Sequence, residues 1–100
     1  MIIDDDLTNV EMLRTQLLHV GFTVLSASDG HEAFEIINDQ HVDLILCDVM
    51  MPLVDGYTFA MRMRECKKFQ NIPLVFVSAK DQKVDKLRGY QVGALDYLTK

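Results

Sequence analysis

Apolar residues along the chain fall into short β-branched runs that alternate with segments whose apolar positions recur at helical spacing. Residues 1–3 form a clipped apolar strand, after which Val10, Leu13, Leu17 and Val20 repeat at helical intervals until Gly21 stops the pattern. Residues 22–27 predict a second strand, and Ala33, Phe34, Ile36 and Ile37 mark the apolar stripe of a helix starting near Asp29. Residues 43–47 predict a third strand, a nearly continuous apolar run suited to burial on both faces. A loop punctuated by Pro52 and Gly56 leads to a helix whose inner face falls on Phe59, Ala60 and Met63. Residues 72–77 predict a fourth strand, residues 81–90 a short polar helix holding Val84 and Leu87 inward, and residues 95–99 a fifth strand.

Regular β-α alternation implies a parallel sheet with right-handed crossovers and helices on both faces, an α/β architecture. The chain has 100 residues, 49% hydrophobic and 25% charged, which fits one small globular domain with one core. No apolar run approaches the length needed to cross a bilayer, and no leader-like segment opens the chain, so a soluble cytoplasmic protein is expected. The net charge of -5 argues against a nucleic-acid-binding surface, because phosphate neutralisation requires a basic patch. Cys47 and Cys66 lack metal-like spacing and read as packing residues.

The chemistry-bearing residues cluster by position rather than by sequence. Asp4 and Asp5 follow the first strand, Asp48 the third, Ser78 the fourth and Lys100 the fifth, so four strands aim polar groups at the carboxyl edge of one sheet. Ligands of open parallel sheets bind beyond that edge. Asp48 at a strand end beside a loop is expected to present an exposed oxygen.

Asp4-Asp5 after the first strand, the run from Asp48 through Met50, Met51 and Pro52 to Asp55-Gly56 after the third, Ser78-Ala79 after the fourth and Lys100 after the fifth resemble the receiver domain of two-component response regulators. The resemblance spans the whole chain. It implies a doubly wound, flavodoxin-like five-stranded sheet of order 2-1-3-4-5, and the family's usual outline makes this chain look truncated at both ends, with the final helix missing. An apolar sheet face is then expected to be left uncovered.

The resemblance also implies roles. Asp48 is the nucleophile that takes a phosphoryl group from a sensor histidine kinase or a phosphotransfer protein, and Ala79 keeps the neighbouring wall small. Two carboxylates about 5 Å apart repel by about 3 kcal/mol at an effective dielectric near 20, so a cluster of three favours a divalent cation. Mg²⁺ suits all-oxygen ligation, with Asp5, Asp48 and the Met50 carbonyl as direct ligands and Asp4 acting through water or more weakly. Lys100 pairs with Asp48 and then with a phosphoryl oxygen, Ser78 binds another phosphoryl oxygen, and Tyr97 moves with Ser78 as part of a switch. A homodimer is a possible output, with no direct contact to nucleic acid or membrane by this domain.

Two rival readings exist. The run Asp4-Asp5-Asp6-Leu7-Thr8 also fits the start of haloacid-dehalogenase-type phosphatases, with Asp4 as nucleophile and Asp6 as general acid. A receiver-shaped module that no longer takes a phosphoryl group is disfavoured by the intact set Asp5, Asp48, Ser78 and Lys100. In the receiver reading Asp6 caps the first helix, with Thr8 and Glu11 as a competing capping box, while Asp55 caps the third helix and Gly56 permits a tight turn.

Overall fold

The computed structural model describes residues 1–51, 55–78, 90–91 and 93–99, apart from the side chains of Tyr97 and Thr99. At its centre lies β1 (Ile2–Ile3), only two residues long but almost wholly buried. It pairs in parallel with β2 (Ser26–Ala27) on one side and β3 (Ile45–Asp48) on the other. β4 (Leu74–Ser78) joins β3, and β5 (Asp96–Thr99) joins β4, giving the order β2-β1-β3-β4-β5.

Parallel neighbours need long crossovers, and among the described residues three helices supply them: α1 (Leu7–Val20), α2 (Gly30–Asp39) and α3 (Gly56–Glu65). Each begins at an aspartate. Asp6 accepts from the Thr8 N–H at 2.9 Å, Asp29 from the Glu32 N–H at 2.8 Å and Asp55 from the Thr58 N–H at 2.8 Å. Glu32 in turn accepts from the Ser28 N–H and hydroxyl, which ties the entry of α2 to its first turn. The competing box at Thr8 and Glu11 does not form: Thr8 lies inside α1, and Glu11 turns to Arg14. At the other end of α1, left-handed Gly21 (φ 107°) sends its N–H to Leu18 and lets Phe22 reach Leu17, capping the last carbonyls.

Register mates in a parallel sheet share a face, and side chains alternate along each strand. Ile3, Cys47 and Phe76 form one row, and Ile45 and Leu74 another, all in the main core with Ala33 and Ile37 of α2 and Phe59, Ala60 and Met63 of α3. Phe34 and Phe59 meet at 4.7 Å between ring centroids and join the two helices. Burying a large side chain such as Phe76 stabilises the fold by about 2 kcal/mol. Ile2, Leu46 and Val77 point to the opposite face, where α1 packs on β1 through buried Val10. Burial thins along this face toward β5: Val75 of β4 is half-buried and Leu98 of β5 is 48% exposed.

Several expected boundaries shift. The second strand was expected over residues 22–27 but spans only Ser26–Ala27, because β1 offers a two-residue partner; Phe22 is 55% exposed. The third and fourth strands start two residues later than expected and end one later, at Asp48 and Ser78. Leu44 thereby leaves the sheet and is 36% exposed. Val20 continues the helical period of α1 but is 72% exposed, since β1 is too short to reach the last turn. The fifth strand starts at Asp96, one residue late. The expected helix over residues 81–90, with Val84 and Leu87, lies outside the described residues except for Tyr90.

Candidate phosphoacceptor and metal site

The sheet order brings the acidic residues together. Ile3 pairs with Cys47, so the residues that follow them, Asp4 and Asp48, leave the sheet as neighbours. Asp4, Asp5 and Asp48 each place one carboxylate oxygen within 4.8 Å of the others. Asp4 is 3% exposed and Asp48 6%, while Asp5 faces solvent. The cluster is therefore closed from below and open through Asp5.

Backbone donors hold two of the carboxylates. The Asp6 N–H donates to Asp4 Oδ1 at 2.9 Å, and the Met50 N–H approaches Asp48 Oδ1 at 3.4 Å. Met50 is thus brought to the cluster by its backbone while its side chain stays 62% exposed. Ser78, 6% exposed, ends β4 one residue beyond Val77, the register mate of Asp48, and so stands at the same edge. Lys100 and Ala79 lie outside the described residues. Tyr97 pairs in register with Phe76, but the switch assigned to its side chain falls outside what is described.

Asp48 differs from expectation in its burial. The strand end was expected to expose it, yet β3 is a central strand and the start of α3 closes against its backbone. The wall behind it is Cys47, fully buried, whose Sγ donates to the Asp48 carbonyl at 3.3 Å. Burial, reinforced by the negative charges of Asp48, Asp4 and Asp55, pushes the Cys47 thiol well above its ordinary pKa. That thiol stays protonated and serves packing.

The donor set fits a hard divalent cation. Three converging carboxylates, two of them buried, are costly to keep ionised together, and only oxygen ligands are offered. Sequence reasoning gave Gly56 only the part of permitting a tight turn and did not single out Arg64. Gly56 is not a free turn residue but the first residue of α3, pressed against the Asp48 carbonyl. Arg64 ties α3 to the approaches to β4 and β5, through the carbonyls of Gln70 and Ile72 and that of Gly93. No periodicity or motif marks an arginine for that task.

A doubly wound parallel sheet with a carboxylate cluster at the carboxyl ends of its central strands defines a flavodoxin-like domain with an acidic site at one edge. The profile of the response regulator receiver domain matches residues 1–100, and the chain belongs to that family. It is 41% identical over 100 residues to the sensor histidine kinase CheAY of Helicobacter pylori, covering 98% of this chain and 12% of that protein. It is 37% identical over 100 residues to the alkaline phosphatase synthesis transcriptional regulatory protein PhoP of Bacillus subtilis, covering 100% of this chain and 41% of that one. The solved receiver domain of the Francisella response regulator 1452 superposes with a TM-score of 0.86 at 34% identity, covering 99% of this chain and 80% of that one. The chain spans less than half the length of either curated relative.

The phosphatase reading falls with these findings. The family is that of receivers, and the carboxylate that reading needed as general acid, Asp6, stands outside the cluster. It accepts from the Thr8 N–H and from Asn9 Nδ2 as a helix cap. Among the described residues no helix is long and apolar enough to cross a membrane.

Proposed function

We propose that this receiver domain accepts a phosphoryl group on Asp48 from a phosphohistidine of a sensor histidine kinase or phosphotransfer protein. The observation that carries the proposal is the convergence of Asp4, Asp5 and Asp48 within 4.8 Å at the carboxyl ends of β1 and β3. An Asp48 carboxylate oxygen forms a bond to phosphorus as the donor's N–P bond breaks; the bonding pair returns to that nitrogen, and because the other ring nitrogen carries a proton the imidazole leaves neutral. Asp5, Asp48 and the Met50 carbonyl would hold Mg²⁺, with Asp4 acting through water or more weakly. The ion supplies charge neutralisation for the transferring group.

Lys100 and Ser78 each take a phosphoryl oxygen, and Tyr97 follows Ser78 in the switch. A charge-assisted hydrogen bond contributes about 1.5–3 kcal/mol, enough to move a two-state equilibrium by about one to two orders of magnitude. Slow self-dephosphorylation, by water attacking the same phosphorus, returns the domain to rest. The domain works in the cytoplasm, controls an output domain or partner and can act as a homodimer, without itself touching nucleic acid or membrane.

The test is phosphorylation with a small phosphodonor such as acetyl phosphate, with and without Mg²⁺, followed by intact-mass measurement. Wild type gains one phosphoryl group only with Mg²⁺, and Asp48→Asn gains none. Equal labelling of the variant would remove Asp48 from the role.

A further inference from the structure

The neck of the loop between β3 and α3 is unusually tight. The Gly56 N–H donates to the Val49 carbonyl at 2.8 Å, one residue before Met50. A Cβ built on Gly56 would lie 2.3 Å from the Asp48 carbonyl oxygen, 3.1 Å from Val49 Cα and 3.0 Å from Phe76 Cε1. Two of those three neighbours are backbone atoms at the exit of β3, one of them belonging to Asp48 itself.

Neither side can retreat easily. On the inner face of α3, Phe59, Ala60 and Met63 are all 0% exposed in the core. Phe76 is equally buried, and its ring is held edge-on by Tyr57 at 5.1 Å between centroids. The Asp48 carbonyl is also engaged by Cys47 Sγ. A side chain at position 56 therefore has to move the backbone of Asp48 and Val49, together with the carboxylate and the Met50 N–H that approaches it.

We infer that Gly56 is a positioning residue for the phosphoacceptor site: its bare Cα sets where the Asp48 carboxylate and the Met50 backbone stand relative to Asp4 and Asp5. The inference rests on the phosphoacceptor reading above. Close packing transmits such a displacement instead of absorbing it, and supporting residues around a metal site commonly govern its affinity.

The experiment measures Mg²⁺ affinity by titration calorimetry, and urea stability in parallel, for wild type, Gly56→Ala and Met63→Ala. Met63→Ala is a control that creates a core defect in the same helix about two turns away. Gly56→Ala is expected to weaken Mg²⁺ binding by the folded protein by about 10- to 100-fold, as supporting-shell losses do, while Met63→Ala lowers stability and leaves the affinity within about two-fold. Should Gly56→Ala fail to fold, Gly56→Ala/Phe76→Leu is compared with Phe76→Leu alone, since trimming the ring relieves the side-chain contact but not the backbone one. The pair is expected to differ in Mg²⁺ affinity by the same factor.

Unchanged affinity in the folded Gly56 variant overturns the inference alone, as does a double variant that still cannot fold, since Gly56 would then be a folding requirement. A wild-type protein that binds no Mg²⁺ overturns the phosphoacceptor reading and this inference with it.

Discussion

The Arg64 guanidinium, at the end of α3, donates through Nη2 to the Gly93 carbonyl at 3.0 Å, across 29 residues of sequence. Its Nη1 donates to the carbonyls of Gln70 at 2.6 Å and Ile72 at 2.9 Å. One side chain thus fastens α3, the approach to β4 and the approach to β5. Burial lowers the Arg64 pKa, but a guanidinium remains charged at neutral pH.

Arg64→Ala is expected to lose about 2–3 kcal/mol in urea unfolding, because three carbonyls lose a charged donor. Arg64→Lys recovers little, since one ammonium cannot reproduce the planar fork. Gly93→Ala is expected to be at least as damaging. Gly93 sits at φ 91°, and a Cβ there would lie 2.6 Å from Arg64 Nε.

The acidic cluster predicts opposite signs with and without a cation. In chelator, Asp5→Asn and Asp48→Asn are each expected to raise the melting temperature, because one of three mutually repelling carboxylates is neutralised. With Mg²⁺ at about 100 times its Kd, wild type is expected to gain about 2.7 kcal/mol, and the variants much less. Thermal melts in chelator and in Mg²⁺ check both signs.

The two cysteines should separate by reactivity. Cys66 is half-buried and is expected to alkylate with iodoacetamide in the native state, whereas Cys47 reacts only on unfolding. Because the folded Cys47 pKa is raised, its contribution to stability is fully present below the unfolded thiol pKa of about 8.5 and declines as pH rises above it. Cys47→Ala should flatten that alkaline decline in a urea series from pH 7 to 10.

Removing a cap should cost stability without touching the chemistry of the edge. Asp29→Ala is expected to lose about 1 kcal/mol, since the Glu32 N–H loses its acceptor at the start of α2. Acetyl phosphate labelling of Asp48 should be unchanged when both proteins are folded.

The strand-end acids were legible because β-α alternation sends every parallel strand the same way, so Asp4, Asp5, Asp48 and Ser78 had to share an edge. The caps at Asp6 and Asp55 were legible too, since a carboxylate one residue before a helix meets only local N–H groups. Strand limits were less so. Phe22, Val24 and Leu25 have strand-like composition, but a strand exists only where a partner offers its backbone, and β1 offers two residues.

The sequence by itself determined the class of fold, the helix starts and the residues that meet at the functional edge, all of which follow from local period and chain direction. The tertiary structure alone decided that Asp48 is buried, that Gly56 stands hard against the Asp48 carbonyl and that Arg64 binds three carbonyls. Each of these depends on atoms from elements distant in sequence approaching within van der Waals or hydrogen-bond range. Close packing sets that approach, and no local pattern records it.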